Sequence, residues 1–358
     1  MATRSELGAG RILIVRASAI GDVVFASPFA AAIKRTWPQA HVAWLVEPGI
    51  HELLAADPCI DELILWPKGE WKQLWQARRV RELLSRILAF RATLRSKRFD
   101  TAIDMQSLLK SGLLTWLSGA RRRIGLGSRE GSQWLMTEVV PKGGIERRIS
   151  SEYLYLAEQL GLDTGDFLPR LCVSDDTAAR TQALLDAHGL EAGRYAVLAP
   201  FTTRPQKHWF EDAWQALAPR LQADFGLTPV ILGGPSDREA AQRIVAAAPG
   251  TVSLAGATRL PEAAALIRSA GLLVGVDTGL THMGTAFATP TVALFGSTRP
   301  YLDTGRPNGQ VIWLGLPCSP CRRRPTCNGA FTCLRDIRPD HVLGEVRKVL
   351  AATPSRPS

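Results

Sequence analysis

Three stretches of the chain carry acids, hydroxyls and cations where an apolar run gives way to a helical pattern. The run Arg11–Arg16 (RILIVR) leads into Ala17-Ser18-Ala19-Ile20-Gly21-Asp22. Gly21 allows close backbone approach or a positive φ, and the amides that follow form a helix N-terminus suited to an anion. Asp22 has two readings: a first-turn carboxylate that stabilises its helix by about 0.5–2 kcal/mol, or a general base. The three-glycine spacing of a dinucleotide fingerprint is missing, so no nicotinamide cofactor is indicated. The run Tyr195–Ala199 continues into Pro200-Phe201-Thr202-Thr203-Arg204-Pro205-Gln206-Lys207-His208-Trp209. Its hydroxyls and cations can donate to phosphate oxygens; the plainer reading is a polar loop anchored by Trp209. Leu272–Val276 delivers Asp277-Thr278-Gly279-Leu280-Thr281-His282, a helix start that offers amides to a pyrophosphate with Thr278 and Thr281 as added donors. His282 is either a ligand to phosphate or sugar or a satisfied structural histidine.

Such groups need rigid elements behind them. Short apolar runs predict strands at Arg11–Arg16, Val42–Val46, Glu62–Trp66, Thr101–Met105, Tyr195–Ala199, Pro229–Leu232, Thr251–Leu254, Leu272–Val276 and Thr291–Phe295. Helical spacing is clearest at Ser27–Thr36, Val80–Arg95, Asp176–His188, Phe210–Ala223, Asp237–Ala247 and Pro261–Ala270. Alternation with continuously apolar strands implies α/β architecture with parallel sheets covered on both faces. The series occurs twice, and 358 residues suit two domains. The expected division is residues 1–170 and 171–338, two doubly wound domains facing across a cleft. A final helix over 339–352 is expected to pack back on the first domain, and 353–358 to form a disordered tail. In such sheets ligands bind beyond the carboxyl ends of the strands, where the order reverses.

The net charge of +10 favours polyanionic partners. Residues 68–148 hold 18 Lys and Arg against 7 Asp and Glu, so this one region carries the whole surplus. No run of about 18 apolar residues suits a spanning helix, and residues 1–10 have no apolar core of a signal peptide, so a cytoplasmic location is expected. Cys59 and Cys172 are expected as isolated, buried small residues. Cys318, Cys321, Cys327 and Cys333 are spaced C-x2-C-x5-C-x5-C. The first pair suits zinc but the second does not repeat it, leaving a structural metal, a redox-sensitive loop or reduced structural thiols.

Four stretches together resemble the lipopolysaccharide core heptosyltransferases, glycosyltransferase family 9: RILIVRASAIGDVVFASP near the start, DMQSLLKSG at 104–112, FTTRPQKHW at 201–209 and GVDTGLTHMGTAFATPTVALFGST at 275–298. The 201–209 form looks most like the first heptosyltransferase, which adds heptose to the Kdo region of lipid A, although the cysteine cluster departs from that pattern. The resemblance implies a GT-B fold of two Rossmann-like domains, an ADP-heptose donor bound by the C-terminal domain, an inverting transfer and no required cofactor or metal. It makes Asp22 the catalytic base. Thr202, Thr203, Lys207, Asp277, Thr278, Gly279 and His282 would bind the donor. Ser18, Gly21, Gln106, Lys110, Arg121, Arg122 and Arg123 would bind the acceptor, a phosphorylated lipid A–Kdo whose charge suits the basic segment. That implies a peripheral enzyme on the cytoplasmic face of the inner membrane, with Trp66, Trp71 and Trp75 as candidates for the membrane interface or for core. Other sugars or acceptors within the family stay open. From another class, so does a non-catalytic binder of anionic lipid or nucleic acid, though no basic recognition helix supports the latter.

Overall fold

The computed structural model describes residues 10–145, 147–321 and 324–353. The chain divides into two compact units, Met1–Glu146 with Ser150–Cys172, and Arg147–Ile149 with Val173–Ser358. The excursion Arg147–Ile149 joins the second unit through backbone bonds: Leu302 N–H donates to Arg147 O (2.7 Å) and Ile149 N–H to Asp303 O (2.8 Å).

The first unit contains strands β1 (Arg11–Val15), β2 (His41–Val46), β3 (Glu62–Leu65), β4 (Thr101–Asp104), β5 (Arg122–Leu126) and β6 (Glu138–Val140). Its helices are α1 (Ile20–Ala26), α2 (Pro28–Thr36), α3 (Lys68–Gln76), α4 (Val80–Ser96), α5 (Leu109–Leu117) and α6 (Ser151–Gln159). All strand pairs are parallel, in the order β3-β2-β1-β4-β5-β6. β1 is central, and its side chains alternate between two cores, as the period of two requires. Ile12 and Ile14 pack with Phe29, Ile33 and Trp44, while Leu13 and Val15 pack with Leu94, Leu114 and Leu117.

The second unit repeats the arrangement with β7 (Tyr195–Ala199), β8 (Thr228–Ile231), β9 (Val252–Ser253), β10 (Leu272–Val276), β11 (Thr291–Phe295) and β12 (Gly309–Trp313), in the order β12-β11-β10-β7-β8-β9. Its helices are α7 (Asp175–Ala187), α8 (Glu211–Phe225), α9 (Arg238–Ala247), α10 (Leu260–Ser269), α11 (Gly279–Ala286), α12 (Thr332–Arg335) and α13 (Pro339–Ala351). Read from its other edge, the second sheet has the same doubly wound order as the first, in which the chain reverses direction across the sheet. The reversal falls between β1 and β4 in one unit and between β7 and β10 in the other.

Every expected strand is present; β5, β6 and β12 were not expected. β5 opens with Arg122 and Arg123, β6 is three residues long, and β12 is a half-buried edge strand, so none has the continuous apolar run of a central parallel strand.

The final helix is placed differently from expectation. Val342, Leu343, Val346 and Val349 of α13 are buried with Trp214, Leu217, Leu221 and Ile312 in the core of the second unit, and α13 packs on α8, β11 and β12. An amphipathic stripe takes the nearest exposed apolar surface, here that of its own unit. The tail expected over 353–358 lies outside the described residues apart from Thr353. Cys59 and Cys172 are half-buried rather than fully buried, and they share the surroundings of Arg170 and Asp57 rather than standing alone.

Placing α13 in this core predicts that Leu343→Ala costs about 2–5 kcal/mol, seen as a lower denaturant midpoint for the second unit; an unchanged midpoint would remove α13 from it.

Candidate functional site

The chemistry-bearing residues fall at the two reversal points. In the first unit Val15 of β1 pairs in register with Asp104 of β4, so the loops that follow these strands emerge side by side. Arg16 is buried; its guanidinium donates to Met105 O (3.0 Å) and makes an ion pair with Asp22 Oδ2 at 2.5 Å. Burial alone would weaken this cation, but Tyr153, Asp22 and Asp104 nearby raise its pKa. The same Asp22 oxygen accepts from Ala19 N–H (3.3 Å), closing the start of α1. Both readings of Asp22 therefore coexist: it caps the helix through Oδ2, while Oδ1 has no protein partner among the described residues and the side chain is 46% exposed. A carboxylate anchored by one oxygen and open at the other can accept a proton from a bound hydroxyl.

Asp104 underlies this loop. Its Oδ1 accepts from the Gln106 (2.9 Å) and Ser107 (3.3 Å) amides, and its Oδ2 from the Ser111 hydroxyl (3.0 Å). Burial raises its pKa against these bonds. Gln106 Oε1 accepts from Ala17 N–H (3.1 Å), stitching the β1 and β4 loops together; the side chain is buried and has a structural partner. Ser18 is half-buried beside Asp22, Gly21 lies in the first turn of α1 with no positive φ, and Lys110 is exposed in the first turn of α5.

Arg121, Arg122 and Arg123 do not join this group. Arg122 and Arg123 pair with Thr101 and Ala102, at the start of β4, so they lie at the amino ends of the strands, a sheet length from Asp22. Their guanidinium groups are also engaged, Arg122 with Glu138 (2.8 Å) and Arg123 with the carbonyls of Leu135 and Ala120 (2.8 Å each). The structure therefore does not bring Arg122 and Arg123 to the loops around Asp22, where they were expected with the acceptor residues.

In the second unit Ala199 of β7 pairs with Gly275 of β10, which sets the 200–209 loop beside Asp277. Asp277 is the centre of the cluster. Its Oδ2 makes an ion pair with Lys207 Nζ (2.7 Å) and accepts from the Thr298 hydroxyl (2.6 Å), while Oδ1 lies 3.2 Å from His282 Nε2. His282 Nδ1 is 2.9 Å from the Tyr301 hydroxyl. Burial opposes ionisation of Asp277, but His282 and Lys207 outweigh it and hold the carboxyl well below the usual range. Burial pushes the Tyr301 phenol upward. Thr278 is the N-cap of α11 and Gly279 its first residue, so the leading amides of α11 have no intrahelical acceptor. Thr202 is half-buried and Thr203 exposed in the same loop, whose fold is held by His208 Nε2 against Thr202 O (2.7 Å).

Thr281 is not a free donor: it is buried and its hydroxyl bonds Val276 O (2.6 Å). Tyr301 and Thr298 were missed as members of the cluster; they follow Asp277 by more than 20 residues, and only the β11 loop brings them to it. An ammonium, a histidine and free helix amides gathered beyond parallel strands can bind and stabilise a diphosphate.

The four C-terminal cysteines lie near one another. Burial, then Cys321, Cys318 and Cys327, pushes the Cys333 thiol up to about 11. Among the described residues no group of three or more His, Cys, Asp or Glu side chains is arranged to hold a metal ion.

Against known proteins, the sequence profile of Glycosyltransferase family 9 (heptosyltransferase) matches residues 87–331. Lipopolysaccharide heptosyltransferase 1 of Pseudomonas aeruginosa is 31% identical over 322 residues, covering 88% of this chain and 87% of that protein. The chain belongs to glycosyltransferase family 9. Lipopolysaccharide heptosyltransferases 2 and 3 also match, at 26% and 28% identity to the Salmonella typhimurium and Escherichia coli proteins. Among solved structures, a family 9 glycosyltransferase from Veillonella parvula superposes with a TM-score of 0.81 at 21% identity, covering 98% of this chain and 99% of that one. E. coli heptosyltransferase WaaC with ADP-2-deoxy-2-fluoro heptose gives 0.71 at 25% identity, covering 94% and 99%. The fold is that of the GT-B heptosyltransferases.

Because the folded pKa of Asp277 lies below its unfolded value, its stabilisation is complete above about pH 5 and is lost progressively as the pH falls further. The stability difference between the protein and Asp277→Asn is therefore expected to be constant from neutrality to about pH 5 and to narrow at lower pH, as read by denaturant titration. A gap independent of pH would remove the ionised Asp277 from the cluster.

Proposed function

We propose that this glycosyltransferase transfers heptose from ADP-L-glycero-D-manno-heptose to the Kdo–lipid A inner core of lipopolysaccharide, with inversion at the anomeric carbon. The observation that carries the donor assignment is the Lys207–Asp277–His282 cluster beside the amino end of α11, in a chain 25% identical to a WaaC solved with an ADP-heptose analogue. Asp277 holds Lys207 and His282 in place, and Lys207 with the α11 amides takes the charge of the diphosphate. Thr202, Thr203, Thr278 and Gly279 line the same strand ends and complete the donor contacts.

The acceptor hydroxyl attacks the anomeric carbon as the bond from that carbon to the diphosphate oxygen breaks. The electron pair leaves with ADP, and the hydroxyl proton passes to Asp22 Oδ1. Arg16 keeps the carboxylate oriented through Oδ2 during this step. Ser18, Gly21, Gln106 and Lys110 lie on the loops that follow β1 and β4 and belong to the acceptor side. Since Lys207 supplies positive charge at the leaving group, the transfer requires no divalent cation.

The relatives named heptosyltransferase 2, which cover 95% of this chain, favour a second reading in which the acceptor already carries a heptose. Mass spectrometry of products from ADP- and UDP-sugars with defined core acceptors separates the two.

ADP release is expected with ADP-heptose and Kdo–lipid A, and a chelator should leave the rate unchanged. Asp22→Asn, which keeps an oxygen to cap α1, should lower kcat by about 10²–10⁴ with ADP binding retained. Lys207→Ala should cost roughly 10²–10³ and weaken ADP binding as well. Full turnover by Asp22→Asn would end its role as base.

A further inference from the structure

A group of exposed apolar side chains lies outside the cluster and its loops. Of the twelve large apolar side chains exposed among the described residues, eleven belong to the first unit. Isolated exposed apolar residues are ordinary, but these are grouped. Val80, Leu84 and Leu88 follow one another at i, i+4 and i+8 along α4, with Leu88 58% exposed. They form a second apolar stripe beside the one that carries Leu83 and Leu94 into the core. Leu109, Leu113 and Trp116 do the same at i, i+4 and i+7 along α5.

The two helices pack on each other and on the same sheet face, and the Arg91 guanidinium lies 5.9 Å from the centre of the Trp116 ring, linking the two stripes. α5 in turn packs on the 3-10 turn Ser132–Leu135, where Trp134 is 85% exposed. Of the tryptophans expected at an interface, Trp66 is buried, Trp71 packs edge-on to Trp66 and Phe90, and only Trp75, at the end of α3 beside α4, is exposed.

The charge around this face is predominantly positive: Glu70 and Glu82 are taken up by ion pairs with Arg86 and Arg79, and Glu130 stands beside Arg129. Lys72, Arg78, Arg81, Lys110 and Arg129 are exposed, and their side chains have no protein partner among the described residues. They belong to the segment of 18 basic and 7 acidic residues. A face of leucine and tryptophan bordered by unpaired cations matches the depth profile of an anionic bilayer surface, in which apolar side chains enter the acyl boundary and Lys and Arg stay among the headgroups. No helix among the described residues is long and apolar enough to cross a membrane.

We propose that the α4–α5 face with Trp134 docks the protein in the plane of an anionic lipid bilayer. The surface acts whichever sugar is transferred, so it can be tested apart from the chemistry. In flotation with the full-length protein, vesicles of phosphatidylethanolamine and phosphatidylglycerol should retain it, and neutral phosphatidylcholine vesicles should retain at least about tenfold less. Raising salt to about 0.5 M should release most of it. Leu84→Ser with Leu88→Ser, and separately Lys72→Glu with Arg81→Glu, should each weaken retention about tenfold or more, with thermal unfolding and turnover of a detergent-dispersed acceptor unchanged. Equal retention on both lipids, or undiminished retention of both variants, would overturn the proposal. So would concentration-dependent dimerisation that the leucine variant abolishes while vesicle binding is absent, because a second copy of the chain would then be the occupant of the face.

Discussion

The second unit is organised around the carboxylate of Asp277. One acidic side chain accepts from Lys207 and Thr298, faces His282, and through His282 reaches Tyr301. Removing a charge of this kind from water is unfavourable unless its partners compensate, and here they come from the loops after β7, β10 and β11. The cluster thereby fixes three strand ends relative to one another. It also leaves Lys207 and the start of α11 at the point where a doubly wound sheet binds ligands. The lysine that would meet a diphosphate is thus held at its post by the same acid that tempers its charge.

The first unit uses the reversal point differently. Arg16 is buried, bonded to the β4 loop through Met105 O, and turned toward Asp22. Asp104 and Gln106 tie the adjoining loops with bonds to backbone amides. Two similar sheets therefore carry unlike sites: one presents a carboxylate with an open oxygen, the other cations and amides. The shared topology supplies position, and the loop residues supply the chemistry.

Much of this was legible in the sequence because parallel sheets write their strands as unbroken apolar runs. RILIV, YAVLA, LLVGV and TVALF announced themselves, and with them the places where Asp22, Lys207 and Asp277 had to lie. What was not legible had short or polar strands, such as RRIGL and EVV, or depended on tertiary contact. Thr298 and Tyr301 look like ordinary loop residues until β11 returns beside β10. Arg122 and Arg123 read as ligands for an anion because charge is visible in a sequence and its partner, Glu138 or a carbonyl, is not. The apolar stripe of helix α13 says that it docks but not where, and it docks in the core of its own unit.

Gly275 shows how tightly such a site is bound to its scaffold. A Cβ built there would lie 2.2 Å from the Thr281 hydroxyl and 2.9 Å from the Ala199 side chain, both held in place by backbone bonding. Glycine at 275 and threonine at 281 are therefore interlocking choices. Any side chain at 275 would have to displace the Thr281 hydroxyl from Val276 O, so change at this strand end is coupled to change one turn into the helix that follows it.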